Sequence, residues 1–218
     1  MPAKDYHFQL FNQNLFLNPQ RCLYWLETGM LMAADLHLGK AGHFRKAGIP
    51  IPVSIHEADL DRLASLIRYY QARRCVILGD LFHSEFNREW QLLNKLMDEN
   101  PRTSFELIPG NHDLLRSVTY ERLIIHDEVH NEGPFLLTHT PPERVEPNKT
   151  YAICGHLHPA VAIRTGPRQS QRADCFWFGR DVGVLPAFGK FTGRYVLPPE
   201  CKKRDTIFAI ADDQVLPL

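Results

Sequence analysis

The chain has 218 residues, 44% apolar and 23% charged, enough for one sizeable hydrophobic core. This composition excludes collagen-like, long disordered and repeat architectures. Lys and Arg number 25 against 25 Asp and Glu, so any affinity for nucleic acid must come from local patches rather than net charge.

The opening MPAKDYHFQLF lacks the basic start and apolar run of a secretory signal, and no stretch approaches the roughly 18 apolar residues of a membrane span. A cytoplasmic protein without membrane association is expected. The five cysteines, Cys22, Cys75, Cys154, Cys175 and Cys201, are scattered without CxxC spacing. That predicts buried thiols rather than disulfides or a thiolate zinc site.

In chain order, His7–Phe11, Arg21–Trp25 and Met30–Ala34 read as strands, the last stopping at Asp35. Between Ser54 and Arg73, Ile55, Ala58, Leu60, Leu63, Leu66, Ile67 and Tyr70 recur near the helical period, with Ser54 and Glu57 in capping-box positions. Cys75–Leu78 is a short strand closed by Gly79 and Asp80, and Asn87–Glu99 is a second amphipathic helix. Phe105–Ile108, Phe135–Thr138 and Tyr151–Cys154 follow as strands, running into the polar loops GNHD, HTPP and GHLHP. Beyond residue 160, the strands Val161–Arg164, Cys175–Phe178, Tyr195–Leu197 and Phe208–Ile210 among Gly and Pro turns predict more sheet and fewer helices. Pro198–Arg204 reads as an exposed loop. No repeat or linker interrupts the chain, so 1–218 is expected to form a single α/β domain.

Every cluster of chemistry-bearing residues thus falls just past the carboxyl end of a predicted strand, where loops vary over rigid roots and open α/β sheets hold their ligands. The segments are Asp35-Leu36-His37, Gly79-Asp80, Gly110-Asn111-His112-Asp113, His139 and Gly155-His156-Leu157-His158. Singly, each has an ordinary structural role: a loop histidine forms hydrogen bonds, an Asp after a strand caps a turn, and Asn111 accommodates a left-handed turn. Together, carboxylates and imidazoles from five strand ends suit a pair of divalent metal ions. Asp35 and His37, two positions apart, can point to one side and chelate one ion, and so can His156 and His158. Oxygen and nitrogen donors without thiolate favour Mn, Fe, Ni or Zn. Two divalent ions about 4 Å apart repel by roughly 17 kcal/mol at an effective dielectric of about 20, so an anionic ligand must lie between them, and Asp80 is suited to that. Gly79, Gly110 and Gly155 are expected to let the backbone turn sharply beside the ions.

The series D-x-H, GD, GNH[DE], H and GHxH, complete and in order here, resembles that of the calcineurin-like metallophosphoesterases. The resemblance implies a two-sheet α/β sandwich flanked by helices, with a dinuclear metal site at the strand carboxyl ends. It implies one metal held by Asp35, His37, Asp80 and His158, and a second held by Asp80, Asn111, His139 and His156. His112 would steady the transferred phosphoryl group and protonate the leaving oxygen, with Asp113 orienting its ring. Two divalent ions are the implied cofactors, Mn foremost, with Zn, Fe, Ni or Mg as alternatives.

The protein Ser/Thr phosphatases of that superfamily carry an arginine shortly after GD and usually GNHE; this chain has Gly79-Asp80-Leu81-Phe82-His83-Ser84 and Asp113. The GDLFH form is similar to a branch of DNA-repair nucleases in which the histidine after the phenylalanine faces the substrate, implying His83 as a substrate contact. A resemblance over nearly the whole chain is to the bacterial ligase-associated DNA damage response endonucleases, phosphodiesterases associated with a DNA ligase and a helicase. It is carried by ADLHLGK, GIPIP at 48–52, CGHLHPAV, CFWF at 175–178 and LPAFGKFTG at 185–193. CFWF and LPAFGKFTG contain no implied ligand and are expected to pack aromatic rings beneath the second sheet.

Between Ala160 and Arg204, nine basic residues (Arg164, Arg168, Arg172, Arg180, Lys190, Arg194, Lys202, Lys203, Arg204) face three acids (Asp174, Asp181, Glu200). Such a patch suits a DNA backbone and equally keeps edge strands soluble. Lys40 and Arg45, just beyond Asp35 and His37, are the candidate phosphate contacts. A small-molecule nucleotide phosphatase or pyrophosphatase, and a non-catalytic partner-binding scaffold, stand as alternatives. Homo-oligomerisation is left open.

Overall fold

The computed structural model describes residues 5–40, 55–82, 88–113, 121–146, 149–166, 169–190 and 192–218. Seven strands form a first sheet in chain order: β1 (Tyr6–Leu10), β2 (Gln13–Asn18), β3 (Cys22–Trp25), β4 (Met30–Ala34), β5 (Arg74–Leu78), β6 (Ser104–Ile108) and β7 (Leu123–Ile125). β1 to β4 make an antiparallel meander, whereas β4 to β7 run parallel. Parallel neighbours need crossovers, and these carry α1 (Ile55–Tyr70) before β5 and α2 (Arg88–Glu99) before β6.

The second sheet comprises β8 (Val129–Glu132), β9 (Phe135–Thr138), β10 (Tyr151–Cys154), β11 (Pro159–Gly166), β12 (Gln169–Phe178), β13 (Val182–Val184), β14 (Tyr195–Val196), β15 (Thr206–Ala211) and β16 (Gln214–Pro217). Its order is β14-β11-β12-β13-β10-β9-β8, with β15 paired to β12 and β16 to β15. β9, β10 and β13 lie parallel at its centre.

Burial on both faces explains the apolar run in β4. Successive side chains alternate across a strand, so Met30, Met32 and Ala34 enter the core between the sheets while Leu31 and Ala33 enter the core beneath the helices. The inter-sheet core sets Leu15, Trp25, Val76 and Ile108 against Phe135, Ile153, Phe176 and Phe208. On the other side, α1 packs Leu60, Leu63, Ala64, Leu66 and Ile67 onto the first sheet and exposes Asp61, Ser65, Arg68 and Tyr69. Each large aliphatic side chain withdrawn from water contributes about 1.5–3 kcal/mol.

The predicted strands are present, Met30–Ala34, Phe135–Thr138 and Tyr151–Cys154 with the expected bounds and the others with shifted ends, and after residue 160 the chain is mostly sheet as expected. β2, β7, β8, β13 and β16 go beyond the predicted set. β2 has polar ends (Gln13, Asn14, Asn18) and is held by pairing on both edges, and β8 (Val-His-Asn-Glu) pairs only with β9 among the described residues. Pro198–Arg204 is not a plain loop: it contains a short helix, α3 (Cys201–Arg204), because Cys201 buries against Ile207 and Ala209. Of the aromatic segments, Phe176 and Phe178 pack between the sheets. Phe188 instead lies on the helix side of the first sheet. All five cysteines are buried thiols, and burial pushes Cys75 and Cys175 up to about 12. Among the described residues no helix is long and apolar enough to cross a membrane.

Candidate metal centre

Five strands from two sheets end at one place. Asp35 follows β4, Gly79-Asp80 follows β5, the GNHD turn follows β6, His139 follows β9, and Gly155 to His158 follow β10. Backbone hydrogen bonds continue between the departing chains: Asp35 N–H to Gly79 O (3.2 Å), His37 N–H to Asp80 O (2.8 Å) and Gly155 N–H to His139 O (3.0 Å). Across the sheets, Asp35 Oδ2 accepts from His156 N–H at 2.9 Å.

This convergence forms two clusters, Asp35–His37–His158 and Asp80–His139–His156, each with its ligand atoms within 4.8 Å of one another. Asp80 reaches both: Oδ2 lies 3.8 Å from His37 Nε2 and Oδ1 lies 3.5 Å from His139 Nε2. His156 and His158 therefore serve different clusters, unlike the same-side chelation that an extended backbone would give. Their φ angles of 66° and 51° are left-handed and break the two-residue alternation; Asp35, His37 and Asp80 are left-handed too, at 56°, 48° and 50°. Each such residue costs on the order of 1–3 kcal/mol and persists only where its surroundings determine it.

The glycines correct the reason expected for them. Only Gly79 of the three is left-handed, at φ 70°. Gly155 is required by close approach, since a Cβ there would meet Asp35 Oδ2 at 2.5 Å and Ala34 Cβ at 2.6 Å; at Gly110 it would meet Asp80 N at 2.3 Å.

Imidazole orientation tests whether a cation fits. A carbonyl can only accept, so Nδ1 of His139, 3.1 Å from Leu78 O, and Nδ1 of His158, 3.2 Å from Gly193 O, each carry the proton. Both rings then present a bare Nε2, the arrangement in which a histidine ligates metal. His158 Nε2 and Asp35 Oδ1 are buried without a hydrogen-bond partner among the described residues and stand 3.4 Å apart. In the other cluster, His139 Nε2 faces His156 Nδ1 at 3.1 Å. There His156 Nδ1–H can donate to the bare His139 Nε2; with the His156 proton on Nε2 instead, both nitrogens turn lone pairs toward one cation, so the donor set fits divalent ions. Burial, reinforced by His139, lowers the His156 imidazole below its ordinary value, the direction that favours the neutral form a ligand needs.

Asn111 and His112 are exposed in the turn after β6. His112 N–H donates to Asp80 Oδ1 at 3.0 Å, and its ring meets that of His37 edge-on at 5.9 Å, which puts it beside the clusters. Asp113 accepts from Phe82 N–H (3.0 Å) and Gly110 N–H (2.9 Å), so its carboxylate ties two active loops together; burial pushes it up to about 6. Lys40 is half-buried; burial lowers its ammonium while Asp80 and Asp35 pull the other way. His83 and Arg45 lie outside the described residues. Within the basic C-terminal third, Arg194 is tied to Asp174, which also pairs with Arg21 at 2.6 Å, whereas Arg164 and Arg172 are exposed on one face of the β11–β12 hairpin. Sequence reasoning missed the Leu78 and Gly193 carbonyls, since a backbone acceptor leaves no side-chain signature.

No protein-family model matches the chain, and no curated protein matches it in sequence. Among solved structures it is similar to the crystal structure of the Pseudomonas putida nuclease MPE, with 26% identity, a TM-score of 0.79, and coverage of 99% of this chain and 100% of that one. A second match, the phosphoesterase YfcE of E. coli, has 17% identity over 84% of this chain and 88% of that one, with a TM-score of 0.43. The chain thus has the metallophosphoesterase fold, two sheets with metal-ligand clusters at their strand ends.

Proposed function

We propose that the chain is a dinuclear-metal-dependent phosphodiesterase that cleaves DNA, acting in a ligase-associated repair pathway. One observation carries the reading: a single carboxylate, Asp80, spans two clusters of oriented imidazoles, with one oxygen toward His37 and the other toward His139. Divalent cations held there supply Lewis acidity, neutralising phosphodiester charge and making water acidic enough to attack near neutral pH.

The chain's own groups supply the rest. Asp35, His37, Asp80 and His158 form one ligand set; Asp80, Asn111, His139 and His156 form the other. Hydrogen bonds to Leu78 and Gly193 keep His139 and His158 in the ligating tautomer. His112 stands outside the clusters, where its ring can hold a proton and pass it to the departing alkoxide. Asp113 fixes the loop that carries His112. Lys40, drawn toward Asp80 and Asp35, is suited to a non-bridging phosphate oxygen.

Similarity to a nuclease over nearly the full chain supports a nucleic-acid diester over a small phosphomonoester. Mn as the preferred ion rests on the oxygen and nitrogen donor set, and a DNA ligase and a helicase as associates rest on the sequence resemblance. The test is a chelator-treated preparation resupplied with Mn, Mg or Zn and offered a bis-aryl phosphodiester, a mononucleotide and end-labelled single-stranded DNA. Metal-dependent diester cleavage and DNA fragmentation are expected. Faster phosphate release from the mononucleotide would favour a nucleotide phosphatase, and no turnover with any metal would favour a scaffold.

A further inference from the structure

The stretch from Ala187 to Lys190, like Gly193 and Tyr195 beyond it, contains no proposed ligand, yet its backbone grips the first cluster. Ala187 bridges to Ala34, Phe188 N–H donates to Ala34 O at 2.7 Å, and Gly189 N–H donates to Asp35 O at 3.1 Å. Beyond it the Gly193 carbonyl takes the Nδ1 proton of His158, and Tyr195 N–H donates to His158 O at 3.0 Å. The 187–190 strap therefore holds the left-handed Asp35 by its carbonyl, and Gly193 sets the tautomer of His158. A Cβ at Gly189 would meet Leu36 O at 2.4 Å, so the strap runs directly against the Asp35 loop.

What anchors the strap comes from α1. Asp59 is 1% exposed, on the helix face where the amphipathic pattern calls for an apolar residue, and Ala58 is exposed instead. Its Oδ1 pairs with Arg62 Nη2 at 2.9 Å, and its Oδ2 accepts from Lys190 N–H at 3.3 Å. Arg62 Nη2 also donates to the Phe188 carbonyl, and its guanidinium lies 4.0 Å above the Phe188 ring. A buried ion pair is a weak source of stability compared with apolar residues of the same volume, so its presence calls for a positional reason. Both partners are aimed at strap backbone.

We infer that Asp59 and Arg62 are positioning residues for the Asp35–His37–His158 cluster, acting through the 187–190 strap on Asp35 to set the affinity of one ion of the pair. The inference rests on the metal-pair reading above. Groups that orient metal ligands from behind alter metal affinity about 10–100-fold when removed. The selectivity for one ion follows from the contacts, because the 187–190 strap holds Asp35 while His139 is oriented by the Leu78 carbonyl.

The experiment is a Co(II) titration of the metal-free full chain, followed by visible absorption and calorimetry, for the parent, Arg62→Met and Asp59→Asn. In both variants one binding step is expected to weaken about 10–100-fold while the other stays within about twofold. Should Arg62→Met fail to fold by circular dichroism, the isosteric Asp59→Asn carries the test. Met97→Ala, a core truncation on α2 that lowers stability generally, is expected to leave both steps in place. Two unaltered steps in Arg62→Met and Asp59→Asn overturn the inference, as does equal weakening of both steps or a matching loss in Met97→Ala. A parent chain that takes up no cobalt overturns the metal-pair reading itself, and the inference with it.

Discussion

Asp35 Oδ2 accepts the backbone N–H of His156 at 2.9 Å, joining residues 121 positions apart and fastening the end of β4 to the end of β10. The other oxygen, Oδ1, faces His158 at 3.4 Å. One buried carboxylate thus clamps the two sheets and serves the first cluster, so the contact that joins the sheets also places a donor of the site.

Gly155 leaves the room for that clamp. Its replacement by alanine would drive a methyl group onto Asp35 Oδ2 and Ala34 Cβ, both at the buried strand end. Gly155→Ala is expected to lower the unfolding free energy by about 1–3 kcal/mol and to reduce bound metal, measured by urea denaturation and elemental analysis.

The clusters bring carboxylates and imidazoles together where water is scarce, so ions that bind the folded chain should stabilise it. At free metal about 100 times the dissociation constant, the gain is about 2.7 kcal/mol. A chelator is expected to lower the thermal midpoint and added Mn to restore it; an unchanged midpoint would count against bound metal.

His112 touches Asp80 through its backbone and His37 through its ring edge, outside both ligand clusters. His112→Asn is expected to retain the metal content while lowering kcat about 100-fold, as removal of a general acid does. Loss of metal in step with activity would make His112 a ligand instead.

Far from the site, Glu106 on β6 is paired with Arg74 and His126, and Arg74 also reaches Glu132 on β8, next to His130. Burial would raise the carboxyls of Glu106 and Glu132, but hydrogen bonds from Arg74, with His126 at the first and His130 at the second, outweigh it and hold both below the ordinary glutamate range. A carboxyl lowered in the folded state stabilises above its unfolded value, about 4.3, and loses that contribution as pH falls through the folded one. Stability measured by urea midpoints is therefore expected to fall in acid below about pH 4, and Glu106→Gln to flatten that limb while costing about 1–3 kcal/mol at pH 7.

The fold was legible where burial writes itself into composition. β4, β5 and β6 are apolar runs because both faces are covered, and α1 carries a helical stripe because one face is. β8 was not, since half-exposed Val-His-Asn-Glu has no pattern of its own and takes its conformation from β9. Asp59 breaks the stripe because one of its two partners, the Lys190 N–H, lies 131 residues away and leaves no mark near it in the sequence.

For the site, the order of residues along the chain was sufficient to single out Asp35, His37, Asp80, His139, His156 and His158 as candidate donors, and the fold gathers these six into two clusters, because donor chemistry belongs to the side chain and strand ends follow from hydropathy. The motif resemblance already implied how the donors group, whereas residue spacing alone paired His156 with His158; the folded backbone supplies the physical reason for the grouping. Left-handed turns at His156 and His158 send neighbouring imidazoles to separate clusters, and carbonyls of Leu78 and Gly193 choose the tautomers. Those choices depend on main-chain torsions and on main-chain oxygens common to every residue, so no side-chain alphabet can spell them.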